Sequence, residues 1–200
     1  NRMSYETACN CIDWIFANIP EDMHGVEITF IGGEPLVEYE LIKKIYDYTH
    51  EKYGKENSYI FYATTNGALL NDEMKTWFSD HKDTFVLGLS LDGTPDTHNH
   101  NRSNSYEKID KDFFLNTWPN QGVKMTISDY TLPNLAENII YIHNLGFKEI
   151  DGVNLFEVLK IDKNSFRRLK NLGPSLTLLE ILQQSYKVQK TVTDEELKFI

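Results

Sequence analysis

Apolar positions along the chain switch repeatedly between a helical and a strand rhythm. Tyr5, Ala8, Cys9, Ile12, Ile15, Phe16 and Ile19 fall on one helical stripe and predict a helix over residues 4–19, opened by Ser4 as N-cap and closed by Pro20. A β-rich run over 26–31 follows and ends in Gly32-Gly33-Glu34-Pro35. From about Leu36 to Tyr53 the helical rhythm returns, with Leu41, Ile42, Ile45, Tyr48 and Thr49 on one side and Gly54 in the C′ position. Residues 59–63 read as a second strand, running into Thr64-Thr65-Asn66-Gly67. Asn-Gly suits a hairpin turn, but Asn71-Asp72-Glu73 reads as a helix start with acids in its first turn, so a strand-to-helix connection is preferred.

The third strand, 84–91, ends in Asp92-Gly93 and gives way to a polar loop over 94–105, rich in His and Asn. A helix around 106–117 stops at Trp118-Pro119, a fourth strand covers 122–128, and Leu135, Ile139, Ile142 and Leu145 mark a helix closed by Gly146. A fifth strand lies within 147–156. Strands alternating with crossover helices predict an α/β protein with a parallel sheet. Beyond Glu157 the rhythm fades; Gly173-Pro174 breaks the chain, and Leu178, Leu179, Leu182 and Tyr186 mark one more helix. The expected organisation is a core over 1–157 and a C-terminal helical segment over 158–200.

Composition narrows the function classes. A net charge of −10 argues against nucleic acid, which demands a basic face. No apolar run is long enough to span a bilayer, so no membrane partner is expected. Cys9 and Cys11 make no disulfide framework, which points to a reducing, cytoplasmic home. They also fall on roughly opposite faces of the first helix, so they cannot jointly hold a metal while that helix stands. Asn1 is not an initiator methionine and no signal segment follows it, so the chain reads as a fragment or processed form of something longer.

Each strand ends in groups suited to a small polar ligand: Gly32-Gly33-Glu34, Thr65-Asn66, Ser90 with Asp92, and Lys124 on the fourth strand. Taken singly, each reads better as a turn or cap than as a site. In a parallel barrel the strand ends share one face, so the four turns would converge although far apart in sequence. His98-Asn99-His100 lacks a third ligand at metal-site spacing and reads as solvated loop histidines, with Asp96 and Arg102 ordering the loop. There is no phosphate-binding P-loop, no dinucleotide fingerprint and no nucleophile elbow.

Phe30-Ile31-Gly32-Gly33-Glu34-Pro35-Leu36, then Thr64-Thr65-Asn66-Gly67, then Leu89-Ser90-Leu91-Asp92-Gly93 followed by His98 and Arg102, together resemble the radical S-adenosylmethionine (SAM) superfamily. The nearest branch is the one that matures peptides and sulfatases and usually carries a C-terminal SPASM domain. The likeness covers roughly residues 3–157. It implies a partial (β/α)6 TIM-like barrel of parallel strands, SAM and a [4Fe-4S] cluster as cofactors, an electron donor for that cluster, and a peptide or protein substrate. In the family the Gly-Gly-Glu-Pro turn holds the amino group of the methionine moiety, a role that carries to Gly32, Gly33, Glu34 and Pro35. Ser90 and the basic Lys124 carry over to the methionine carboxylate; the family residue expected at Lys124 is arginine. Asn66 and Asp92 carry over to the pocket or to the geometry of its loops.

The chain departs from the family at the cluster, which is held there on Cys-x-x-x-Cys-x-x-Cys. No such motif occurs here, nor do the further cysteines of a SPASM domain. The expectation is therefore a truncated catalytic core, its first strand and cluster loop missing, inactive alone, with the cluster confined to the intact parent. A cluster-less peptide-binding scaffold of the same fold is the alternative. An unrelated barrel aldolase or isomerase ranks last, because Lys124 is the sole lysine placed at a strand.

Overall fold

The computed structural model describes residues 2–155, apart from positions 24, 56 and 129; the helical segment expected over 158–200 lies outside the described residues. Helices α1 (Tyr5–Ala17), α2 (Tyr39–Tyr53), α3 (Asp72–Asp80), α4 (Pro95–Asn101), α5 (Lys111–Thr117) and α6 (Leu135–Asn144) alternate with strands β1 (Val26–Phe30), β2 (Tyr59–Thr65), β3 (Phe85–Ser90), β4 (Val123–Ile127) and β5 (Ile150–Leu155). Strand order follows chain order. β1 runs parallel to β2, and β4 parallel to both β3 and β5. Sequential parallel strands joined by helices are the topology of a partial TIM-like barrel, as the alternation predicts.

The chain divides into two compact units, one built from residues up to Thr65 with Leu69–Leu87, the other from Asn66–Ala68 and from Gly88 onward. In the first unit, Phe61, Phe78, Phe85 and Leu87 are fully buried, and Phe85 lies 5.7 Å from Phe61 and 5.1 Å from Phe78, centroid to centroid. Each such side chain withdrawn from water contributes roughly 1.5–3 kcal/mol. The buried face of α2 is Tyr39, Ile42, Ile45, Tyr46 and Thr49. Tyr46, not Tyr48, is the inward tyrosine; Tyr48 turns to Asp13, whose Oδ1 accepts from its hydroxyl at 2.7 Å. In the second unit Leu89, Leu91, Val123, Met125, Ile139 and Ile142 form the core.

Helix ends follow their predicted chemistry. Ser4 Oγ accepts from the amide of Thr7, and Asn71 Oδ1 from that of Met74. Gly54 differs: its φ is −63°, so no left-handed turn requires glycine there. A Cβ at that position would instead stand 2.5 Å from the carbonyl oxygen of His50. Two expected elements are also subdivided. The helix behind Pro35 opens as a 3-10 turn, Pro35–Glu38, before α2, and residues 106–117 split into a 3-10 turn, Tyr106–Lys108, and α5.

Candidate functional site: two sets of strand-end turns

In the first unit, β1 ends in the exposed stretch Ile31-Gly32-Gly33. Neither glycine has positive φ, and a Cβ at either would meet nothing within 4 Å. Neither backbone conformation nor packing among the described residues therefore demands glycine here. Glu34 caps the turn that follows: its Oε1 accepts from the amide of Leu36 at 3.0 Å and from the hydroxyl of Thr65 at 2.8 Å. Pro35 takes the first position of that turn, where a missing N–H costs nothing. Beside these residues lies a mostly apolar cleft of about 740 Å³, walled by Ile12 and Ile15 of α1 and by Ile28 and Phe30 of β1.

The second unit holds the other predicted residues. Ser90 is buried at the end of β3 and pairs in register with Lys124 on β4, whose carbonyl accepts from the amide of Leu91. Asn66 Oδ1 accepts from the amide of Ala68, and Gly67 takes φ +75° with Leu89 and Ile109 packed against it. Asn66 thus shapes its own turn. Asp92 is fully buried and acts as a hub. Its Oδ2 accepts from Arg102 Nε at 2.7 Å, and its Oδ1 from Arg102 Nη2 at 3.0 Å and the Thr126 amide at 2.8 Å. A bidentate guanidinium and a strand amide fix this carboxylate inside the protein. Of the two roles open to Asp92 from sequence, loop geometry is the one its contacts serve.

The residues expected as a solvated loop are a correction to the sequence reading. Residues 95–101 form α4, with Thr94 as N-cap and Pro95 at its first position. His98 is fully buried, with Nε2 3.1 Å from Ser105 Oγ and Nδ1 accepting from the amide of Asp92 at 3.4 Å. Burial is the main cause that lowers its pKa from 6.5 to about 4. His100 remains exposed and stacks on Tyr130 with centroids 3.8 Å apart. A polar run disguised the helix, although Thr-Pro at its start is an N-cap signal. Arg102 orders the loop, as expected, and reaches further than expected, to the Thr126 hydroxyl on β4.

Thr65 is the residue whose role the sequence left unassigned. It is completely buried at the end of β2, and a buried hydroxyl at a strand end beside a carboxylate turn was the available signal.

Cys9 is buried on α1 and Cys11 is exposed on it. They do not form a cluster site, and no group of three metal-ligating side chains occurs among the described residues. The open-sided Gly32-Gly33 and the fixed Glu34 carboxylate together suit an ammonium group.

These strand-end turns stand on a partial parallel barrel, and the fold has known relatives. In the comparisons with known proteins, no family model matches. The chain is 28% identical over 168 residues to an uncharacterized protein of Methanocaldococcus jannaschii, covering 80% of this chain and 54% of that one. It is 33% identical over 87 residues to the cysteine-type anaerobic sulfatase-maturating enzyme of Clostridium novyi (strain NT), covering 40% of this chain and 22% of the relative. Among solved structures, native anSMEcpe with bound AdoMet and Cp18Cys peptide matches with a TM-score of 0.68 at 19% identity, covering 86% of this chain and 52% of that one. The chain is thus related in sequence to the anaerobic sulfatase-maturating enzymes and shares the fold of anSMEcpe. It spans about half, or less, of the length of the relatives it matches.

Proposed function

We propose that the chain is the SAM-binding part of a radical SAM enzyme that modifies a peptide or protein. The observation that carries this reading is the Gly32-Gly33 turn, which has open space where side chains would stand. Glycines that the fold does not need are explained by a ligand that lies against the backbone. In this reading the backbone of Gly32 and Gly33, with Glu34, receives the ammonium of SAM, and Pro35 fixes the turn behind them. The residues expected for the methionine carboxylate, Ser90 and Lys124, belong to the second unit; lysine offers a carboxylate a point charge rather than a bidentate fork. Asn66 and Asp92 set the loops around them. Bound SAM supplies a 5′-deoxyadenosyl group for hydrogen abstraction once a cluster and an electron donor are present. Cys9 and Cys11 do not fit that cluster, so no step is assigned to this chain beyond holding SAM.

The mismatch of the cysteines favours one second reading, a cluster-less scaffold of the same fold that binds peptides. The two readings part on SAM. Calorimetry on the unsubstituted chain, Gly32→Ala and Gly33→Ala, alongside thermal melts, tests the proposal. Alanine should leave the melting temperature unchanged or slightly raised, because a compatible Gly-to-Ala change gains about 0.4–1 kcal/mol. SAM binding should weaken in both variants. A chain that ignores SAM, or alanine variants that bind it as well as the parent, would sink the proposal.

A further inference from the structure

We infer that Thr65 is a positioning residue for the SAM ammonium, acting through Glu34; this rests on the reading of Glu34 just proposed. A carboxylate on a surface turn ordinarily samples several orientations, and each one lost on binding weakens the ligand. Glu34 is different because one of its oxygens is held twice. Oε1 accepts from the Leu36 amide at 3.0 Å and from Thr65 Oγ1 at 2.8 Å. The first bond is local to the turn and only caps it. The second crosses from β1's turn to the end of β2, thirty-one residues away in sequence.

Thr65 itself cannot drift. It is fully buried and lies in a paired strand, and its β-branch restricts the side-chain torsion that aims the hydroxyl. Two donors on one oxygen, one from a backbone and one from a stiff buried side chain, set the plane of the carboxylate before any ligand arrives. The direction in which Glu34 presents its negative charge is thereby fixed by β2, not by the exposed turn that carries it. Preorganisation of this kind strengthens binding by removing an ordering cost. It also explains why a hydroxyl occupies a completely buried strand position that an apolar residue would otherwise fill.

The test compares SAM with 5′-methylthioadenosine, which lacks the amino and carboxylate groups, by calorimetry on the unsubstituted protein, Thr65→Val, Thr65→Ser and Glu34→Gln. Thr65→Val keeps the β-branch and removes the donor; it should weaken SAM about tenfold, the scale of one hydrogen bond to a charged group. Methylthioadenosine binding should not change, and Thr65→Ser should restore SAM to within about twofold of the parent, a serine hydroxyl offering the same donor. If Glu34→Gln loses SAM while Thr65→Val does not, the role of Thr65 is overturned and that of Glu34 stands. If Thr65→Val weakens both ligands alike, the effect is general loss of structure and the inference fails. If Glu34→Gln binds SAM normally, or the parent ignores SAM, the reading of the turn fails and takes this inference with it.

Discussion

At the scale of single residues, His98 carries the clearest pH consequence. Its folded pKa, near 4, lies below its ordinary 6.5, so the unfolded chain takes up a proton across that interval while the folded protein does not. The contribution to stability is fully present above pH 6.5 and is lost as the pH falls to about 4; below that point it changes no further. The loss amounts to roughly 3 kcal/mol at about 1.4 kcal/mol per pKa unit. Urea unfolding at stepped pH should show this decline, and His98→Asn should flatten it. An unchanged slope in that variant would assign the decline to other groups. The same residue shows where reading by residue type stops. Gly32, Gly33 and Glu34 were legible because their chemistry is local to one turn. The burial of His98 was not, because it depends on Ser105, seven positions on, and on Asp92, six positions back. Thr65 and Glu34 meet only once β1 and β2 are paired.

At the scale of elements, periodicity located every described strand and most helices, since each has an apolar stripe long enough to count. It failed for α4, a helix of seven residues whose buried side chains include Thr97 and His98 rather than aliphatics. What holds α4 is polar. Asn101 Nδ2 donates to Thr131 Oγ1 at 2.9 Å, and Arg102, just past its end, donates twice to Asp92 and once to Thr126. The end of β3, the end of α4 and strand β4 are therefore tied through one buried carboxylate. Removing the guanidinium strands that charge, so Arg102→Met should destabilise the protein by roughly 3–5 kcal/mol. Arg102→Lys should recover only part, because a single ammonium cannot reproduce the two-point grip. Chemical denaturation of both variants measures this. Equal stability of Arg102→Met and the parent would show that Asp92 is held well enough by the Thr126 amide and the Asn101 side chain.

At the scale of the whole molecule, the fold was legible because a parallel sheet writes itself into the chain as alternation. The candidate residues were legible only in parts, because they come from turns far apart in sequence, Glu34 in the first unit and Asn66, Ser90 and Lys124 in the second. Alternation alone also cannot tell a SAM barrel from an aldolase; the order of Gly-Gly-Glu-Pro, Thr-Asn-Gly and Ser-Leu-Asp-Gly carries the resemblance that favours the first. One element of the class does not fit. Iron in a [4Fe-4S] cluster is held by thiolates, and this chain has two cysteines, both on α1, one buried and one exposed. Bringing both to one cluster would require unwinding α1, and Ala8, Cys9 and Ile12 would then leave the core. Anaerobic reconstitution of the 200-residue chain with iron and sulfide should therefore give no stoichiometric cluster absorbance, with helical circular dichroism unchanged. A full cluster signal that survives Cys9→Ala and Cys11→Ala would mean ligands other than thiolates. A full signal that these variants abolish would mean that α1 opens to bind iron, and the separation between holding SAM and cleaving it would collapse.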